Sequence, residues 1–207
     1  MNRILAATVV NWLGETDIWK RLVTITFEAI TRVKHPRFWE TERGFHGEFH
    51  AILREILVAE GIIRYLGPIL EQEYQKSERH GISQRPDSIL HMPAKQWGLR
   101  RDEGNFAVWA FKYQSTRAEA VEDFRRLDEM FSHLRYPLGF FLNVSNDRTF
   151  EDAYRGQHAE RIHCVSCRLN ADGTFSLRHA QPKLRRPISK IEGRERVRAL
   201  KLKARVK

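Results

Sequence analysis

The sequence predicts an α/β protein built on one central mixed sheet flanked by helices. Three long segments repeat apolar residues every three or four positions, the period of a buried helix face. Among them lie short apolar runs bounded by polar, Gly or Pro clusters, as buried strands are. The two kinds of segment follow the order α-β-β-β-α-β, with helical and strand additions at both ends.

The first helix is expected in "TDIWKRLVTITFEAITRV", where Ile18, Leu22, Ile25, Ala29 and Val33 form a stripe. "KHPRFWETERG" breaks that pattern. The next helix, "GFHGEFHAILREILVAEGI", puts Phe45, Phe49, Ile52 and Ile56 on one face and ends at Gly61. Glu48 falls roughly 75° from the centre of that face, along its edge. "PILEQEYQ" and "RPDSILHM" read as a hairpin turning through "KSERHGIS". "PAKQWGLRRDEGN" is a loop, and "FAVWAFKYQ" is the third strand. In "RAEAVEDFRRLDEMFSHL", Val121, Phe124, Leu127, Phe131 and Leu134 supply an apolar helix face. "PLGFFLNV" is another buried strand and "RTFEDAYRGQH" a short amphipathic helix. "RIHCVSCRL" and "TFSLRHA" form a terminal hairpin through "NADG".

At 207 residues, 42% of them hydrophobic and 11% aromatic, the chain suits one domain with a sizeable core. No apolar run approaches the ~18 to 20 residues of a membrane span. The opening "MNRILAATVV" is short and interrupted as an apolar run and has no clear cleavage site. Cys164 and Cys167 make no disulfide framework. A soluble cytoplasmic protein with no membrane partner is expected. The formal net charge of +10 is unevenly placed: residues 183–207 hold eleven Lys/Arg against Glu192 and Glu195, leaving about +1 for residues 1–182. This divides the chain into an N-terminal helical extension (1–44), a core domain (45–182) and a basic tail (183–207). "SKIE" at 189–192 offers a capping box for a basic helix. The tail, Lys201 and Lys203 included, has the composition of a sequence-independent phosphate clamp.

Side chains alternate along a strand, so Ala110, Lys112 and Gln114 share one face, with Trp109, Phe111 and Tyr113 on the other. A lysine in such a strand is costly unless its ammonium reaches water, an anion or a carboxylate. Antiparallel pairing of 86–91 with 106–112 would bring Asp87 near Lys112. The residues alone leave two readings open: a paired Asp87–Lys112 site, or a lysine that snorkels to solvent beside an aspartate that opens a turn.

"RPDSILH" followed by "NFAVWAFKY", which begins 18 residues after Asp87, resembles the PD-(D/E)XK nuclease superfamily. The likeness spans about residues 45–145 and is strongest to bacterial members with an RPD-x-I-x-H motif and a strand ending in E-F-K. It implies a restriction-endonuclease-like αβββαβ core and Mg²⁺- or Mn²⁺-dependent cleavage of nucleic acid, DNA foremost. By the same resemblance Asp87 would hold the metal, and Lys112 would orient the attacking water and stabilise charge on the phosphorane. Glu48 would complete the metal site from the first helix of the core, and Gln114 would contact the scissile strand or metal-bound water. Such nucleases act as homodimers or with a recognition or motor subunit.

The chain departs from that pattern at Ala110, where the family has Glu or Asp as a second metal ligand. The favoured reading is a nuclease in which alanine has replaced the acid, leaving this chain inactive. The alternative is a pseudonuclease kept as a nucleic-acid-binding or assembly subunit, for instance in a defence or repair complex. Asp102 and Glu103 lie in the loop, too far along the chain to replace the missing acid. Trp97, Arg100 and Arg101 lie in that same loop, placed to stack on bases or clamp phosphates. Cys164 and Cys167 should point to opposite faces of their strand, which argues against a zinc site. His46 and His50 stand four apart on the helix of Glu48, without the H-E-x-x-H order.

Deleting residues 183–207 is expected to weaken nucleic-acid binding and flatten its salt dependence, because phosphate neutralisation releases counterions whatever the base sequence. A salt titration of binding by full-length and truncated protein checks this. Equal affinity and slope would mean that the tail is no phosphate clamp.

Overall fold

The computed structural model describes residues 17–65, 67–73, 86–93, 99–100 and 102–183. Its helices are α1 (Asp17–Arg32), α2 (Glu42–Ala59) and α3 (Arg117–Leu134). Its strands are β1 (Ile69–Gln72), β2 (Ser88–His91), β3 (Asn105–Tyr113), β4 (Leu138–Val144), β5 (Ile162–Leu169) and β6 (Phe175–Ala180). Local chemistry fixes the helix starts. The Thr41 hydroxyl accepts from the Gly44 N–H at the head of α2. Thr116 and Glu119 form a reciprocal capping box at the head of α3. α3 ends at Arg135, whose backbone is left-handed (φ 53°), and Gly61 (φ 69°) follows α2.

The six strands lie in the order β1-β2-β3-β4-β5-β6. β1–β2, β2–β3 and β5–β6 are antiparallel, whereas β3–β4 and β4–β5 are parallel. The sheet is therefore mixed, and the fold is α/β as the segment order predicts. One face packs Trp109, Phe111, Phe140 and Leu142 against Leu22, Phe45 and Phe49 of α1 and α2. The other packs Val108 and Phe141 against Phe124, Leu127 and Phe131 of α3. The indole N–H of Trp109 donates to the Thr26 hydroxyl of α1 at 3.2 Å, so the largest buried side chain leaves no polar atom unpaired. Cys164 belongs to one core layer and Cys167 to the other, both free and buried. No helix among the described residues is long and apolar enough to cross a membrane.

Two local expectations are corrected. Val121 is 44% exposed, and Ala120 occupies the buried stripe of α3 in its place. The segment 148–158 forms no α-helix; short 3₁₀ turns occupy Glu151–Ala153 and Ala159–Arg161. Phe150 enters in left-handed backbone, and the N–H groups of Gln157 and His158 donate to Asp128 Oδ1 at 3.0 and 3.3 Å. Those donors are satisfied by a side chain of α3, so a helical ladder is not needed there.

Close approach of α3 to β4 depends on Gly139. A Cβ there would lie 2.4 Å from Phe131 Cζ, in the middle of a packed layer. Gly139→Ala is expected to destabilise the protein by about 1–3 kcal/mol through overpacking. Gly47 lies on an exposed face of α2 with nothing within 4 Å of its added Cβ, and Gly47→Ala should stabilise by about 0.5–1 kcal/mol. Urea midpoints at unchanged m-value test both signs.

Candidate active site

The antiparallel register places Ser88 opposite Trp109, so Asp87 comes beside Ala110 one step further along. The Phe111 N–H donates to Asp87 Oδ2 at 2.7 Å and orients the carboxylate. Burial raises the Asp87 carboxyl above its ordinary value, opposed by that N–H and by the charge on Lys112. Lys112 extends between two acids from opposite layers. Its Nζ is 3.7 Å from Asp123 Oδ2 in α3 and 3.9 Å from Glu42 Oε1 in α2. The other oxygen of Glu42 accepts from the Tyr113 N–H at 3.2 Å.

Asp123 is the least expected member. It is 5% exposed, and its Oδ2 has no hydrogen-bond partner. Burial pushes its carboxyl up to about 6, against the pull of Lys112 and Arg126. Asp87, Ala110, Lys112 and Asp123 line one cavity of about 50 Å³, walled by Leu127 and Met130. Ala110 takes up little of that space, leaving room for more than one water-sized particle.

The sequence-derived candidates divide accordingly. Asp87, Ala110 and Lys112 line the same cavity, but the Lys112 ammonium pairs with Asp123 and Glu42 and not with Asp87. Glu48 does not line the cavity; it lies six residues, about 9 Å, further along α2 than Glu42, the α2 acid that does reach Lys112. Gln114 leaves the strand alternation: its backbone is left-handed (φ 50°), and its exposed amide donates to the Tyr113 hydroxyl at 3.2 Å. Arg100 pairs with Asp102 at 3.4 Å and Glu103 at 3.3 Å, so its charge is locally compensated. Trp97, Arg101, Lys201 and Lys203 lie outside the described residues. His46 and His50 meet the buried Ser88 hydroxyl at 2.9 and 3.2 Å. Burial lowers both imidazoles, His50 to about 4, so they pack as neutral rings.

Asp123 and Glu42 are the site residues that the sequence reading misses. For Asp123 a signal exists: it stands three after Ala120 and four before Leu127, on the buried stripe of α3. An acid on such a stripe needs a partner or a ligand. Among the described residues no group of three or more His, Cys, Asp or Glu is placed to hold a metal ion. The pair Asp87 and Asp123 nevertheless fits Mg²⁺ or Mn²⁺, which take hard carboxylate oxygens and keep several waters. Asp123 Oδ2, which accepts no hydrogen bond, is an acceptor suited to such a cation.

The raised Asp123 value has a consequence for stability. Because the folded value of about 6 exceeds the ordinary 3.8, stability is greater below this window and is lost as pH rises through it. Asp123→Asn buries no charge, so its stability relative to the parent should rise by about 2–3 kcal/mol between about pH 4 and about pH 8. Urea unfolding at the two pH values measures the difference. A constant difference would mean that Asp123 is not held against its charge.

No family model matches the chain, and neither a curated protein nor a solved structure matches it.

Proposed function

We propose that the protein is a metal-dependent phosphodiesterase acting on nucleic acid, DNA foremost, with a restriction-endonuclease-like core. The observation that carries this reading is the convergence on one cavity at Ala110 of Asp87, Lys112 and Asp123, whose Oδ2 has no hydrogen-bond partner. The order α2-β1-β2-β3-α3-β4 is compatible with the αβββαβ core that the motif resemblance implies. On this reading the second carboxylate comes from α3, and the alanine at position 110 leaves the site altered but not empty of acids.

Asp87 and Asp123 would hold Mg²⁺ or Mn²⁺, which when bound polarises a phosphoryl oxygen and acidifies a water. Lys112 supplies a fixed cation for charge that accumulates on the phosphate oxygens in the transition state. Its two carboxylate neighbours keep the ammonium at the end of β3 and oppose its escape into solvent. The Phe111 N–H holds Asp87 in place through an atom that no side-chain substitution at position 111 removes. Arg126 borders the cavity and is 3.5 Å from Asp123 Oδ1, a second cation beside an incoming phosphate.

Ala110 itself favours a second reading, a non-catalytic nucleic-acid-binding or assembly subunit. Incubation of plasmid and linear substrates with Mg²⁺ or Mn²⁺ separates the two. Cleavage is expected, lowered on the order of 10²-fold or more in Asp87→Ala, Asp123→Ala and Lys112→Ala. Ala110→Glu should raise it by returning a carboxylate to the face of Lys112. Folded parent and Ala110→Glu proteins that cleave no DNA or RNA would sink the enzymatic reading.

A further inference from the structure

A second concavity lies beside the candidate active site. The loop 147–152, the first turn of α3 and strand β6 enclose an open cleft of about 480 Å³. Arg117, Arg148 and Arg178 line it together with Asp147, Glu151 and Asp152. The formal charges balance, but the acids are already engaged. Arg117 grips Asp152 through two bonds, at 3.0 and 2.9 Å. Arg168, from outside the cleft, holds Asp147 at 3.0 Å. Glu151 accepts from the Thr149 hydroxyl. Among the described residues neither Arg148 nor Arg178 forms an ion pair, and both are exposed. The cleft therefore presents two guanidinium groups without an ion-pair partner, against the single carboxylate of Glu151 that no cation among the described residues holds.

The backbone that carries Arg148 is held at several points. The Arg148 N–H donates to Asn146 Oδ1 at 3.0 Å, and its carbonyl accepts from Asn143 Nδ2 at 2.8 Å. Asn143 is fully buried in β4, so a core position is given over to fixing this loop. Ser145 and Phe150 bracket the loop in left-handed backbone, φ 55° at each, a conformation that non-glycine residues keep only when their surroundings impose it. The Ser145 N–H donates to the Cys167 carbonyl at 2.7 Å, and its hydroxyl donates to the Trp39 carbonyl at 2.7 Å. A backbone pinned at so many atoms loses little further entropy when its side chain takes a ligand.

We propose that this cleft seats the phosphodiester backbone of a nucleic-acid strand, with Arg148 and Arg178 as its phosphate ligands. Planar guanidinium forks match phosphate oxygens, and contacts of this kind fix register without reading sequence. Arg117 on the rim of the cleft and Asp123 in the cavity stand six residues apart on α3, about 9 Å along its axis and roughly 120° apart around it, so cleft and cavity flank the same helix. A strand held in the cleft would pass around the first turns of α3 to meet the carboxylates. The polymer's identity rests on the nuclease reading; the phosphate-binding role does not need the metal site to work.

The test is binding of a fluorescent oligothymidylate and of a short DNA duplex to the full chain in EDTA, across a salt series. Arg148→Ala/Arg178→Ala is compared with a charge-matched control, Arg37→Ala/Arg54→Ala, at exposed positions away from the cleft. Loss of two phosphate contacts should lower the magnitude of the log–log salt slope by about 1.4 for the single strand and about 1.8 for the duplex. The control should keep the parental slope. Equal slopes in the cleft and control variants overturn the proposal. So does a cleft variant that releases anionic lipid vesicles while binding oligonucleotide normally. Intact cleft binding without any metal-dependent cleavage would leave this inference standing and remove only the nuclease reading.

Discussion

Strand β3 has a paired strand on each edge and a helical layer on each face, so a charged side chain within it must find a partner inside the protein or reach the strand's end. Lys112 is the only charged residue among its nine and lies one position from that end. Its ammonium meets Glu42 from one layer and Asp123 from the other. The two helical layers are thus tied through a single cation across the sheet they sandwich. That arrangement is costly. Asp123 is buried, one of its oxygens accepts no hydrogen bond and Lys112 approaches no closer than 3.7 Å, beyond hydrogen-bond reach. Removing charges from water without full hydrogen bonding is seldom repaid by attraction alone. A buried acid with a raised pKa in a cavity, beside a lysine and a second acid, is the pattern expected of a functional site.

Helix start positions decide whether those groups meet. Each residue of α3 turns through about 100°, so beginning the helix one residue earlier or later would swing Asp123 off the buried stripe. The Thr116–Glu119 capping box sets that start at the turn leaving β3, four residues beyond Lys112. Glu42 depends in the same way on Thr41, whose hydroxyl caps α2 directly before it. Two local caps, each worth only about 1 kcal/mol, therefore position both carboxylates around the lysine. Asp87 is placed by different means. It precedes the first paired residue of β2 and is held by a backbone N–H of β3, so its geometry follows from strand register.

This difference explains what could be read from the sequence. Register between adjacent strands follows from alternation, and the approach of Asp87 to Lys112 was legible in the spacing of "RPDSILH" and "FAVWAFKY". The three helices, both hairpins and the mixed sheet were legible for the same reason, because apolar period and turn residues agree in each. Contacts between layers were not. Glu48 and Glu42 share a helix, and periodicity alone does not say which turn of α2 lies over the end of β3. Asp123 carried a signal in its stripe position, but a helical pattern records which residues are apolar more readily than it flags the acid among them. The irregular segment between the two 3₁₀ turns was hidden for a related reason: the N–H groups of Gln157 and His158 are satisfied by Asp128, a residue distant in sequence.

Asn143 shows how the cavity and the cleft belong to one construction. It is the parallel register partner of Lys112, and it is fully buried in the otherwise apolar strand "LGFFLNV". Both ends of its amide are used. Oδ1 accepts from the Ser115 N–H at 3.0 Å, and Nδ2 donates to the Arg148 carbonyl at 2.8 Å. The first bond fixes the turn from β3 into α3, on which the placement of Asp123 depends. The second fixes the loop that presents Arg148 to the cleft. An apolar residue of similar size would leave two backbone groups to find other partners, and an aspartate would offer no donor for the carbonyl. A strand buried on both faces accommodates an amide at this point because each of its polar atoms meets the complementary backbone group. The same side chain that closes the end of the sheet therefore sets the relation between the turn that places Asp123 and the loop that carries Arg148.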